Sequence, residues 1–352
     1  MKIQSSGPNI VVIGIGDGGI NTIDRMIETG VEGIKFVAVD TDAQVLDICH
    51  AETVLPIGES LTGGTGTGGD IELGAKAAEQ KRDSFRQLFK GADLVFLTAG
   101  LGGGTGTGAA PVIASVSLQM DILTVGVVTS PFPFEGLKRK KRAEEGMEKL
   151  LENVDALVTV SNDSLLENVP GNLPIKEAFK TADGVLQQGI QSISDLITSP
   201  GLINLDLADI KSVLKGVGKA VIGIGEGKGK EKAIKAAQQA SKNPLLEKKS
   251  IEGARRLILN VTGGKGLKLE EVNQAAELIR EVIGTGVNMI FGAVIDGDIE
   301  DTARVTVIAS DFHETIPSEE SEPEISLGPV DYSDMSIPTF IRRTKKGEKN
   351  YS

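Results

Sequence analysis

Cysteine occurs once in the 352 residues, at Cys49, and histidine twice, at His50 and His313. A lone thiol forms no internal disulfide, and one cysteine with two histidines falls short of a usual zinc site. Long apolar runs are also missing. None approaches the ~20 residues that span a bilayer, and Met1 to Asn9 holds no apolar stretch of signal-peptide length. The expected compartment is therefore the cytoplasm, without direct membrane insertion. Cations are outnumbered, 37 Lys and Arg against 49 Asp and Glu, and the net charge of −12 argues against nucleic acid as a partner. Aromatics are scarce, with ten Phe, two Tyr and no Trp. Glycine is in excess, 44 residues where average usage of ~7 % would give ~25. Those glycines cluster, and the clusters carry the functional reading.

The length suits about two domains of ~150 residues, and the 40 % apolar and 24 % charged fractions are those of a globular chain. Residues 1–8 read as an extension. From Asn9, short β-branched runs at Ile10–Ile13, Lys35–Val39, Leu94–Thr98, Leu123–Val128 and Ala156–Val160 alternate with segments long enough for crossover helices. Gly18–Glu28 places Ile20, Ile23, Met26 and Ile27 on one helical face. The pattern predicts a doubly wound, mostly parallel α/β domain over 9–173. A long helix follows over 174–199, stopped by Ser199-Pro200-Gly201, and then a loop and helix over 200–219. A smaller α+β unit of βαβαββ order occupies 220–313. Glu314–Asp334 has seven acids and no Lys or Arg, the signature of a solvated, disordered linker reaching ~25 Å. Residues 335–352 end the chain, with an apolar and basic burst that suits a recognition peptide.

Gly14-Ile15-Gly16-Asp17-Gly18-Gly19 is a G-x-G-x-x-G after a strand and before a helix, with Asp40 about twenty residues on. Alone it would suggest an NAD-dependent oxidoreductase using Gly14, Gly16, Gly19 and Asp40, and that alternative stands beside the leading one. Two further tracts, Gly63–Gly69 and Gly102–Gly108, are built from Gly and Thr, the second before a helix expected to open at Ala109-Ala110-Pro111. Backbone N–H groups freed by glycine, helix N-termini and Thr hydroxyls all suit phosphate. Three converging loops imply a polyphosphate longer than a dinucleotide's. The Walker pattern G-x-x-x-x-G-K-[ST] is absent, so such a ligand would be held without its lysine.

Gly102–Gly108 matches the signature loop of the tubulin superfamily. With Asp40-Thr41-Asp42-Ala43-Gln44, Pro131–Gly136, Ser161-Asn162-Asp163, Glu177–Lys180 and Thr198–Asp209, the chain resembles the FtsZ family of prokaryotic cell-division GTPases over about residues 9 to 312. The resemblance implies a tubulin-like fold and GTP or GDP with Mg²⁺ as ligands. It implies phosphate contacts at Asp17, Gly18, Gly19, Ile20 and Asn21, and at Gly104, Thr105 and Gly106. Asp40, Gly66, Thr67, Gly68, Gly103, Thr107, Gly108 and Asn162 join the same nucleotide set. Glu135 and Arg139 carry over to ribose. Asn21, Phe179 and Asp183 carry over to guanine, Phe179 stacking on the base and Asp183 accepting from its ring N–H and exocyclic amine.

Asn204, Asp206 and Asp209 resemble the catalytic loop that enters the next subunit's site. Without the resemblance, Asp206 reads as the cap of a helix beginning near Ala208. An active site split between unlike faces implies head-to-tail filaments, with hydrolysis dependent on assembly. Ile337, Pro338, Phe340, Ile341, Arg342 and Arg343 resemble the peptide that binds membrane-tethering division proteins, which implies localisation at the division site. Asp17 and Ile20 stand where the family usually has glycine. The basic run Lys138–Arg142 reads as a solvated helical face with only Arg139 drawn into the site.

Overall fold

A computed structural model of the chain describes residues 7–162, 174–198, 201–203, 205–242, 251–296 and 301–312. Asn204, the 314–334 linker and the Ile337–Arg343 peptide lie outside the described residues. The strands are β1 (Ile10–Ile15), β2 (Ile34–Asp40), β3 (Thr53–Pro56), β4 (Leu94–Gly100), β5 (Leu123–Ser130), β6 (Ala156–Ser161), β7 (Gly218–Lys228), β8 (Ala254–Gly263), β9 (Asn288–Ile295) and β10 (Thr302–Phe312). They form one sheet of order β3-β2-β1-β4-β5-β6-β7-β10-β8-β9. Pairing is parallel from β3 through β7, β10 runs antiparallel to both β7 and β8, and β8 and β9 are parallel.

β1 is buried along its whole length and feeds two cores, as a central parallel strand must. Ile10 and Val12 face α1 (Gly16–Glu28) and the central helix α8 (Ile175–Thr198), packing with Ile20, Ile23, Leu186 and Ile190. Val11, Ile13 and Ile15 belong to the opposite core, with Phe85, Phe89 and Ile113. That side holds α4 (Ile71–Glu79), α5 (Arg82–Leu88), α6 (Thr105–Gln119) and α7 (Leu137–Leu151). Short helices α2 (Ala43–Ile48) and α3 (Glu59–Thr62) flank β3. Beyond α8 come α9 (Leu207–Leu214), α10 (Lys232–Ser241) and α11 (Leu269–Ile283), the last two covering a third core around Leu257, Val305 and Val307.

The doubly wound, mostly parallel architecture, the long central helix and the antiparallel C-terminal strands agree with expectation. Three features do not follow from the pattern of the sequence. The 220–313 unit continues the first sheet, because β7 pairs with β6 over Ala156↔Gly218, Leu157↔Lys219 and Val158↔Ala220. Buried Asp155 fastens that junction, accepting from Thr124 N at 2.9 Å and Gly216 N at 3.2 Å. β3, four residues ending in Pro56, is an edge strand too short to show alternation. α6 opens at Thr105, not Ala109, so Pro111 sits inside it.

The early start of α6 explains its glycines. A Cβ on Gly108 would overlap Ile71 O and approach Ala75 N to 2.8 Å, and one on Gly104 would approach Asp70 O to 2.8 Å. These residues let α6 lie directly on the backbone of α4. Gly108→Ala is therefore expected to lower stability by about 1–3 kcal/mol, despite the ~1 kcal/mol helix-propensity gain of alanine over glycine. Urea unfolding checks this, and an unchanged midpoint would contradict the packing role.

Candidate functional site

In an open α/β sheet, ligands bind beyond the carboxyl ends of the strands where the strand order reverses. Here β1 lies between β2 and β4, and a cleft of about 530 Å³ opens at that place. The volume lies within the ~300–1,000 Å³ of small-molecule sites.

Its floor is set by two helix N-termini. Gly16, Asp17 and Gly18 open α1 directly from β1, and Gly103, Gly104, Thr105 and Gly106 open α6 after β4. Both starts present backbone N–H groups and the positive end of a helix dipole to the cleft. Thr41 Oγ1 lies 2.7 Å from Thr105 Oγ1, tying the end of β2 to the start of α6. Thr65, Gly66 and Gly68 of the second tract form a further edge.

The other wall comes from the turn that precedes α7, from α7 itself and from α8. Glu135 and Arg139 form an ion pair at the rim, and Glu135 Oε1 also accepts from Phe132 N at 3.0 Å. Phe179 stands edge-on to Phe132 and Phe134, with ring centroids at 5.1 and 6.2 Å. Its ring is thereby fixed beside Asp183, and Asn21 lies on the same border of the cleft. Asn162 is buried and borders the cleft, and among the described residues its Oδ1 has no hydrogen-bond partner. A buried amide oxygen of this kind suits a donor on a bound molecule.

The structure thus brings to one cleft Asp17, Gly18, Asn21, Asp40, Gly66, Gly68, Gly103, Gly104, Thr105, Gly106, Glu135, Arg139, Asn162, Phe179 and Asp183. It does not bring Gly19, Ile20, Thr67, Thr107 or Gly108 to the cleft border. Gly19 packs on the carbonyl of Thr98, and Ile20 is a core side chain at 2 % exposure. Thr107 Oγ1 accepts from Gly102 N at 2.8 Å, inside the turn. Thr67 abuts Gly104, and Gly108 abuts α4. Gly16, named above only for the oxidoreductase alternative, lines the cleft too, and residues missed from the sequence are Asp42, Val45, Thr65, Gly100, Leu101, Thr129, Ser130, Pro131 and Ala182. Most lie at strand ends, and the rule that ligands sit there was the available signal. Arg142 was also missed: its guanidinium donates to Gly69 O, so the basic run sends two side chains toward the site.

The lining is rich in carboxylates. Burial raises Asp40 to about 6; the N–H groups of Asp42 and Thr41 oppose this, while the charge of Asp17 adds to it. Burial raises Asp183 to about 6 as well, opposed by Arg25, which donates to Lys180 O at 2.6 Å. Asp206 and Asp209 do not border this cleft. They close a capping box at the start of α9, with Asp209 N donating to Asp206 Oδ1 at 2.9 Å and Asp206 N to Asp209 Oδ2 at 3.0 Å.

Residues 9–170 match the Tubulin/FtsZ family GTPase domain, and residues 218–313 match the FtsZ family C-terminal domain. A solved FtsZ dimer from M. jannaschii is 42 % identical, covering 87 % of this chain and 89 % of that one, with a TM-score of 0.81. Two structures from Haloferax volcanii share the fold at lower identity. A GTPγS-bound CetZ2 protofilament is 20 % identical over 86 % of this chain and 92 % of its own, with a TM-score of 0.73. A GDP-bound CetZ1 monomer is 23 % identical over 87 % and 95 %, with a TM-score of 0.74. A GTPase domain over the whole glycine-loop region sets aside the oxidoreductase alternative built on Gly14, Gly16, Gly19 and Asp40.

The folded-state value of Asp40 lies above its unfolded value of 3.8, so burying the charge costs stability above about pH 6. That cost shrinks as pH falls and is gone below about 3.8. Asp40→Asn is expected to stabilise the chain by about 1–3 kcal/mol at pH 7.5. The gain should vanish near pH 4. Thermal melts across this range measure it, and an equal gain at both ends would point to a cause other than charge.

Proposed function

The chain belongs to the FtsZ family, and on that premise we propose that it is a self-assembling GTPase of prokaryotic cytokinesis whose active sites are completed between subunits. The observation that carries the split site is one of position. The cleft has two helix N-termini for phosphate, whereas the acids of the capping box border no part of it and Asp206 is exposed. Head-to-tail stacking would place the box of one subunit over the cleft of the next, in a filament that does not close.

In this reading the α1 and α6 starts hold the phosphates, Glu135 and Arg139 the ribose, and Asn21, Phe179 and Asp183 the guanine. An ionised Asp183 accepts from two guanine donors, where adenine offers one donor and one acceptor. Asp206 and Asp209, with Asn204, position and polarise the water that attacks the terminal phosphate. When bound, Mg²⁺ would neutralise charge developing on the phosphates. No cluster of three or more metal-ligating side chains occurs among the described residues, so the ion would arrive largely on the phosphates and its own water. Asp17, exposed at the first turn of α1, is the carboxylate that would help to hold it.

The proposed partners are further copies of the chain and, through residues 335–352, a membrane-tethering division protein. No described helix is long and apolar enough to cross a membrane, so attachment in this reading is borrowed from that partner. The proposed location is the cytoplasmic side of the division site.

Asp206→Asn separates the two duties of that residue, because asparagine caps a helix about as well as aspartate. GTP turnover is expected to fall at least 100-fold while light scattering still reports assembly and the melting temperature is unchanged. Turnover that survives would remove Asp206 from the mechanism. A second expectation concerns pH. The free carboxyl of Asp183 titrates at about 6 and guanine needs it ionised, so GTP affinity should hold above pH 6 and fall toward tenfold per unit below it. Asp183→Asn should bind weakly at every pH without that slope, and equilibrium titration of fluorescent GTP from pH 5 to 8 decides.

A further inference from the structure

The tract Gly63–Gly69 is an expensive loop to order. Gly63, Gly64, Gly66, Gly68 and Gly69 all hold φ between 60° and 86°, a conformation that glycine reaches freely but must lose much entropy to keep. Its first half is fastened to the β2 end, through Ala43 N to Gly64 O at 3.0 Å and Gly66 N to Thr41 O at 3.2 Å. The second half has fewer ties. Among the described hydrogen bonds, Gly68 makes none, and Gly69 is held through its carbonyl by the Arg142 guanidinium. That second half abuts Gly104 at the α6 start, and Gly66 and Gly68 border the cleft.

Arg142 itself has no carboxylate partner among the described ion pairs; its other bond is Nε to Lys138 O at 3.4 Å. It stands three residues after Arg139, so the two project from neighbouring places on α7. One helix therefore carries the side chain at the Glu135 rim and the side chain that holds the glycine loop. A Cβ on Gly69 would overlap the guanidinium and push the arginine aside, and the φ of 86° favours glycine there whatever the space.

We propose that Arg142 is a positioning residue for the phosphate end of the cleft, latching the Gly63–Gly69 loop to α7 so that the loop is ordered against a bound polyphosphate. The inference rests on the reading of the cleft as a GTP site. It deepens that reading by making affinity for the phosphates depend on a residue that does not border them. Without the latch, binding must order the loop's second half, and that entropy is subtracted from the affinity.

The test uses the full chain, below the concentration at which scattering appears, with Arg142→Met and Arg142→Lys. Methionine keeps an apolar stem and removes every donor, whereas lysine can return one charged donor to Gly69 O. Affinities for GTPγS and guanosine are measured together with amide hydrogen exchange over residues 63–70. In Arg142→Met, GTPγS affinity is expected to fall about tenfold, the size of one charge-assisted hydrogen bond. Guanosine affinity should stay within twofold, the loop amides should exchange faster, and lysine should restore most of the loss. Unchanged exchange would overturn the latch, as would guanosine weakening in step with GTPγS, since that would mean a displaced α7. Failure of the unmodified chain to bind GTPγS would overturn the nucleotide reading instead, and exchange would still decide the latch.

Discussion

The site depends on three helices lying against main chain with no side chain between. α1 leaves β1 without a connecting loop because a Cβ on Gly14 would approach Gly19 O to 2.6 Å, and Gly19 rests on the carbonyl of Thr98 in β4. α6 then rests on the end of β4 at Gly106, whose Cβ would stand 2.9 Å from Gly100 O, meets the start of α1 where a Cβ on Gly16 would stand 3.0 Å from Gly106 N, and lies on α4 at Gly104 and Gly108. These approaches converge two helix N-termini on one point at the switch of strand order. An anion there meets several N–H groups already oriented, which is how a phosphate site can work without a lysine. Side chains added to the same contacts would separate the helices and spread those donors.

This constraint also explains what the sequence could and could not tell. The buried strands were legible because continuous Val, Ile and Leu runs between glycines have few other uses, and α1 because Ile20, Ile23 and Met26 mark one face. The start of α6 was not legible. Nearly every residue from Thr105 to Ala114 is buried, so no polar face marks its period, and glycines that serve close packing look like those of a loop. Gly19 and Gly108 show the same ambiguity, each packing on main chain rather than bordering the cleft. Glu135, Arg139, Phe179 and Asp183 came from resemblance alone, since no local pattern says that α7 and α8 flank the same opening. The β6–β7 pairing that carries the sheet from one expected unit into the next is fastened by Asp155 reaching Gly216, a contact between residues 61 apart in sequence.

The cleft is acidic for a site that would take a polyanion. Asp17, Asp40, Asp42 and Asp183 border it with Arg139 as the lining cation, and Arg139 is already paired with Glu135. Burial and repulsion from Asp17 raise Asp40, so the cleft's own carboxylates are unfavourably placed. A nucleotide alone would add to that charge, whereas a nucleotide carrying a divalent cation would offset it. Occupancy and the cation are therefore coupled in the proposed function. Any ligand that binds the folded form alone stabilises it by mass action.

In the proposed function, the capping box of α9 gives a structural duty and a catalytic one to the same residues. Asp206 accepts the Asp209 N–H through Oδ1, and Asp209 accepts the Asp206 N–H through Oδ2. Each carboxylate thus uses one oxygen to hold the helix start and keeps another for a second partner. The segment before the box is anchored as well. Leu205 is 6 % exposed and packs on Gly292, and Ile203 exchanges backbone bonds with Ala293 in β9. Two acids fixed on a helix start, themselves fixed to the sheet, would lose little entropy on meeting a neighbouring subunit's nucleotide, as the proposed function requires. That preorganisation favours acids that position a water over acids that must first fold into place. The bland reading of Asp206 as a cap is accordingly the physical basis on which its proposed catalytic role rests.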